Sequence, residues 1–217
     1  MHADALGVMG GTFDPIHFGH LRLAEEACQA LQLSQLRIIP AGRPPHRARP
    51  CSSAEDRLAM ARLALAGAPH LVLDDHEVRA ELPSYTVPTL ERLRGELDAA
   101  RPLVLVLGVD AFLGLPSWHR WQAIFGLAHV AVATRPGYTL KAAEMDVRLR
   151  EEFAARVCAS SALAAQGAHG AITHFTMTPL AISATAIRAL LARGESPRFL
   201  LPDAVLDYIH HHHLYEN

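Results

Sequence analysis

Residues 103–107, Leu-Val-Leu-Val-Leu, form the most hydrophobic unbroken run in the chain. A strand with that pattern has no polar face to offer water, so it predicts a central parallel strand covered by helices on both sides. Around it, short apolar runs alternate with longer segments of helical period. Strands are expected at 6–9, 36–39, 71–73, 129–133 and 172–175. Helices are expected from near Gly19 through Leu21, Ala24, Cys28 and Leu31, and from a Ser53 cap through Met60, Leu63 and Ala66. Further helices are expected at 87–97, 118–125, over the alanine-rich stretch 142–165, and around 184–193 and 202–212. This rhythm predicts an open, doubly wound, mostly parallel α/β sheet with right-handed crossovers. No repeat or low-complexity linker divides the chain, so one domain over 1–217 is expected, with 178–217 as a small C-terminal helical portion. Ligands in such sheets bind beyond the carboxyl ends of the strands. Chemistry is therefore sought just after Met9, Ile39, Leu107, Ala133 and Phe175.

Composition narrows the ligand classes. Lys+Arg number 20 against 22 Asp+Glu, a net charge of −2, which provides no global basic field for a nucleic acid. Any polyanion must be held locally. Lys141 is the only lysine and follows Leu140, which excludes a Walker A phosphate loop. Cys28, Cys51 and Cys158 are odd in number and form no CxxC pair, as expected of a reduced cytoplasmic chain. No apolar run approaches the length of a membrane span, so no membrane partner is expected. The run His210 to His213 is read as native and helical.

Directly after the first strand stands Gly10-Gly11-Thr12-Phe13-Asp14-Pro15-Ile16-His17-Phe18-Gly19-His20. The glycines let backbone approach a ligand, Asp14-Pro15 sets a turn, and the helix start directs N–H groups and a positive dipole end at an anion. His17 and His20, three apart at that start, can face one point and donate to phosphate oxygens. Taken alone, the pair fits a helix start with hydrogen-bonded polar side chains better than a ligand site, and zinc lacks a third ligand.

The longer string decides between these readings. Gly-Thr-Phe-Asp-Pro-Ile-His-x-Gly-His resembles the signature of the nucleotidyltransferase superfamily with the His-x-Gly-His motif. A second signature of that superfamily appears as Ile182-Ser183-Ala184-Thr185-Ala186-Ile187-Arg188, where Ser183 is also a natural N-cap. The resemblance implies a Rossmann-like nucleotidyltransferase fold and attack on the α-phosphate of ATP with release of pyrophosphate. It implies that ATP, entering with Mg²⁺, is bound around Gly10, Gly11, Thr12, Phe13, His17, Gly19, His20, Ile182, Ser183, Thr185 and Arg188. His17, His20 and Arg188 are the implied catalytic groups, and no metal ligand is assigned to the protein.

The remaining segments bear on the acceptor. Pro44-Pro45-His46-Arg47 resembles the loop of the bacterial nicotinate mononucleotide adenylyltransferase family, where the position of Arg47 is commonly lysine; His46 and Arg47 are the implied partners of the ATP phosphates. Ser84-Tyr85-Thr86 is similar to that family's segment at a helix start, where amides face the acceptor's carboxylate. Pro88 stands where the family often has aspartate, and proline is well tolerated in a first helical turn. Gly108-Val109-Asp110 and Trp118-His119-Arg120-Trp121 also resemble the family pattern, with Gly108 and Asp110 on ATP, Asp110 at ribose hydroxyls, and Trp118 stacked on the pyridine ring beside His119. Two tryptophans at this spacing are more often core, and Trp121 is read that way. Thr12 and Arg135 complete the implied acceptor contacts. The implied product is nicotinate adenine dinucleotide. Rival readings are an adenylyltransferase for nicotinamide mononucleotide or phosphopantetheine, and a nucleotide-binding regulator without catalysis; assembly into a homo-oligomer stays open.

Overall fold

The computed structural model describes residues 4–44 and 50–216. Six strands form one sheet: β1 (Leu6–Gly11), β2 (Gln35–Pro40), β3 (Leu71–Leu73), β4 (Leu103–Gly108), β5 (His129–Thr134) and β6 (Ile172–Thr176). Among the described residues eight α-helices accompany them: α1 (Phe18–Leu31), α2 (Ala54–Ala64), α3 (His76–Arg79), α4 (Thr86–Glu96), α5 (Val109–Leu113), α6 (Val147–Arg156), α7 (Ala184–Ala192) and α8 (Asp203–His211). The strand order is β3-β2-β1-β4-β5-β6. The pairs β1–β4, β4–β5 and β5–β6 are parallel, with Leu6 opposite Leu103, Val104 opposite His129 and Val130 opposite Ile172. This is the doubly wound order, reversing where β1 lies beside β4. Among the described residues no helix is long and apolar enough to cross a membrane.

The described residues divide into two compact units. The first contains 4–9, Glu25–Arg37 and Tyr85–Pro179; the second contains Gly10–Ala24, 38–44, 50–84 and 180–216. In the first unit Leu103 to Leu107 are all buried, as their unbroken apolar pattern requires, and every residue of β5 is buried with them. Arg94 of α4 gathers the carbonyls of Leu127, Arg101 and Ala168, satisfying backbone acceptors at the strand approaches.

Two expected helices of this unit come out differently. The stretch 142–165 is not one helix. A 3₁₀ turn (Ala142–Glu144) precedes α6, which is capped by the Asp146 carboxylate on the Arg148 N–H, and a second 3₁₀ segment (Ser160–Gln166) follows. Between them Val157 bridges Ile172 and the Cys158 N–H donates to the Ile172 carbonyl, so pairing with β6 wins over alanine's helical preference. Residues 118–125 are likewise not an α-helix. Trp118 is extended, Arg120 is left-handed at φ 55°, and only a 3₁₀ segment (Trp121–Gly126) follows.

In the second unit, α2 starts on Ser53, whose hydroxyl accepts from the Asp56 N–H at 3.0 Å. The face it buries carries Arg57, Leu58, Met60 and Ala61, while Leu63 is exposed. Helix α7 starts on Ser183, whose hydroxyl accepts from Ala186 N–H at 3.1 Å. Helix α8 buries Val205, Leu206 and Ile209.

Candidate active site

The loop after β1 is shaped by its own side chains. Phe13 sits left-handed at φ 51°, and its ring packs so close to Gly11 that a Cβ there would lie 2.7 Å from it. Gly10 lies at the exposed end of β1, and Thr12 is half-buried. The His17 and His20 rings stack at 3.7 Å between centroids with 23° between planes, and Phe13 meets His20 edge-on at 5.0 Å. Gly19 makes this possible: a Cβ there would stand 3.0 Å from the His17 ring and 3.6 Å from the Ile182 carbonyl of the second motif.

The tautomers follow from the hydrogen bonds. The His17 N–H donates to Nδ1 of His20 at 3.3 Å, so a neutral His20 carries its proton on Nε2. Burial holds the His17 imidazole down to about 4, against a smaller upward pull from its backbone hydrogen bond. His17 is therefore neutral at pH 7, and its Nδ1 is buried without a hydrogen-bond partner. The helix start is less open to an anion than its sequence suggests: Phe18 N–H donates to Leu200 O and His20 N–H to His17 O.

The second motif reaches the first directly. Arg188 donates through Nη1 to the carbonyl of Asp14 and stands 4.0 Å from its carboxylate, while Nη2 lies 3.4 Å from the Thr185 hydroxyl. Ser183 spends its hydroxyl on the α7 cap, and Ile182 is half-buried.

Four side chains that sequence reasoning did not assign, those of Asp14, Ser52, Arg57 and Tyr215, hold this arrangement together with the Cys51 N–H. The Asp14 carboxylate accepts from the Ser52 hydroxyl at 2.6 Å, the Cys51 N–H at 2.7 Å and the Tyr215 hydroxyl at 2.6 Å. Arg57, 1% exposed, donates to the carbonyls of Thr12, Ala41 and Gly42, joining the motif loop to the segment after β2. A signal for Arg57 existed, since it lies three residues before Met60 on one helical face. Asp14, Ser52 and Tyr215 are brought together from distant positions and left no such mark. A cavity of about 830 Å³ is lined by Arg43, Ser52, Ser53, Ala54 and Arg57 among others. Ser84, expected at the acceptor, accepts here from the Gly42 and Arg43 N–H groups. His46 and Arg47 lie outside the described residues.

The first unit carries the other expected residues. Tyr85 precedes α4 and Thr86 opens it, with no acidic residue in the first turn and no side-chain cap. The Tyr85 ring lies 4.8 Å from His119, which is exposed beside a half-buried Trp118. Arg120 pairs with Glu91 of α4 at 2.7 Å. Trp121 is core, packed edge-on against Phe125. Gly108 ends β4, Asp110 is exposed in the first turn of α5, and Arg135 is exposed just after β5. Among the described residues no group of three or more His, Cys, Asp or Glu could hold a metal ion.

The family model described as cytidylyltransferase-like matches residues 8–190. A chain from Dechloromonas aromatica (strain RCB), named "Probable nicotinate-nucleotide adenylyltransferase", is 56% identical over 216 residues, covering 99% of each chain. The chain belongs to the nicotinate-nucleotide adenylyltransferases of the cytidylyltransferase-like family. A second member under the same name, from Pseudomonas aeruginosa (strain UCBPP-PA14), is 49% identical over 97% of this chain and 96% of its own. The fold of this chain also matches a solved Plasmodium falciparum nicotinic acid mononucleotide adenylyltransferase complexed with NaAD. That match has a TM-score of 0.73 at 15% identity and covers 98% of this chain and 97% of the other.

Proposed function

We propose that the chain transfers the adenylyl group of ATP to nicotinate mononucleotide, yielding nicotinate adenine dinucleotide and pyrophosphate. The observation that carries this reading is the stacked His17–His20 pair, locked by the Gly19 gap, with Arg188 of the second motif bonded to the same loop. A phosphate oxygen of the acceptor attacks the α-phosphorus of ATP; the α–β bridging bond breaks and its electrons leave with pyrophosphate. No protein nucleophile is needed. His20 donates from Nε2 to the α-phosphoryl oxygen as charge grows there, and neutral His17 supports the ring by stacking. Arg188 takes the β- and γ-phosphates through its planar fork, beside the Thr185 hydroxyl and the Ser183 O–H, which remains a donor because the α7 cap uses only the Ser183 oxygen as acceptor. ATP would enter as its Mg²⁺ complex, the metal supplying charge neutralisation on the triphosphate. His46 and Arg47 add phosphate contacts, and Gly108 and Asp110 contact the nucleotide.

On the acceptor side, Trp118 and His119 form the platform for the pyridine ring, Arg135 meets the phosphate, and Tyr85 and Thr86 frame the carboxylate. The α4 start supports the acid over the amide, because a helix N-terminus without an acidic residue or a side-chain cap favours an anion. The test is pyrophosphate release from Mg²⁺-ATP with nicotinate mononucleotide, nicotinamide mononucleotide and phosphopantetheine in parallel. Strong preference for the first is expected. Equal or better rates with either other acceptor would overturn the substrate, and no release with any would overturn the enzyme reading.

A further inference from the structure

Helix α8 does not simply stop. The His213 N–H donates to His210 O and the Leu214 N–H to Ile209 O, with His213 left-handed at φ 50°, which together make a Schellman turn. Glycine is the usual residue at that left-handed position, and here the last histidine of the run occupies it. The turn throws the chain back over the second unit, and Tyr215 follows, itself left-handed at φ 66°. A tyrosine in that conformation persists only where its surroundings hold it. What holds it is the motif loop: the phenol hydroxyl donates to Asp14 Oδ1 at 2.6 Å and stands 3.0 Å from Ser52 Oγ. Burial and the Asp14 charge push the phenol well above its usual range, so it remains a donor.

Asp14 is the junction. Its carboxylate takes donors from Ser52, Cys51 and Tyr215, and its carbonyl takes the Arg188 guanidinium. From this geometry we infer that Tyr215 is a positioning residue for ATP: by fixing Asp14, it fixes the carbonyl on which Arg188 is registered, and so the aim of Arg188 at the triphosphate. The inference rests on the reading of Arg188 as a phosphate ligand. It also gives the histidine run a role, since His213 supplies the turn that delivers Tyr215.

The test is Tyr215→Phe, which keeps the ring and removes one hydroxyl. Binding of a non-hydrolysable ATP analogue is measured by calorimetry, without acceptor, beside steady-state KM values for both substrates. The analogue is expected to bind about fivefold or more weakly and KM for ATP to rise in step, while KM for the acceptor stays within about twofold. Unchanged analogue binding, or equal losses for both substrates, would overturn the inference. If Tyr215→Phe does not fold, His213 supplies a second pair. His213→Gly should bind the analogue as the parent does, and His213→Val, which resists the left-handed turn, should weaken it. Identical analogue binding in those two would equally overturn it. A parent chain that binds the analogue but makes no dinucleotide would sink the proposed reaction and leave this inference standing; a parent that does not bind the analogue would sink both.

Discussion

The motif loop of the second unit rests on Arg57, which is 1% exposed and whose guanidinium is bonded to three backbone carbonyls. The turn at 118–120 of the first unit rests on another arginine, Arg120, which is exposed and paired with an exposed Glu91. Both arginines hold segments that carry candidate ligand groups, but the surroundings differ. In water an ion pair gains little, because both partners are solvated when apart. In the interior, removing a donor strands the carbonyls it satisfied, and each stranded group carries its full desolvation cost. The second unit thus keeps His17, His20 and Arg188 in one geometry through partly buried bonds, whereas the 118–120 turn leans on a solvent-exposed ion pair.

The sharpest way to break this contrast is Arg57→Met. Three carbonyls lose their donor, and the loss of stability in urea unfolding should reach about 3 kcal/mol, with activity falling alongside. A loss below about 1 kcal/mol would show that the loop does not depend on this anchor.

Next in size is the pH response of the buried histidine. His17 titrates near 4 when folded and near 6.5 when unfolded. Between those values the unfolded chain takes up a proton that the folded chain refuses. The contribution is therefore complete above pH 6.5, is lost as pH falls, and levels off below about 4. Unfolding midpoints measured across that window should fall more steeply for the parent than for His17→Asn; parallel curves would contradict the burial argument.

Smallest is Arg120→Gly. An exposed pair is lost and a left-handed residue is relieved, so stability should move by less than about 0.5 kcal/mol. KM for the acceptor should still rise about two- to fivefold as the turn loosens, with KM for ATP unchanged. A stability loss as large as that of Arg57→Met would erase the distinction between the regions.

Legibility in the sequence followed the distance over which each feature is determined. Strands announced themselves through apolar runs, and both motif strings stood out because their residues are contiguous. The Ser53 and Ser183 caps were readable for the same local reason. The 142–165 stretch misled because alanine's helical preference is local, whereas the bridge of Val157 to Ile172 is not. The 118–125 segment misled because nothing in its composition marks Arg120 as left-handed. The supports of the motif loop were hidden by distance: Asp14 and Tyr215 are 201 positions apart, and a hydrogen bond between them has no periodicity to detect. His46 and Arg47, the most specific elements of the basic loop, fall outside the described residues.

The role given to His20 is tested most directly by His20→Ala, with turnover and ATP-analogue affinity measured on the same preparation. In the proposed mechanism the ring donates to the α-phosphoryl oxygen as charge develops, so kcat should fall by about 10²-fold or more while analogue affinity changes by less than about threefold. Full turnover in that variant would contradict the assignment.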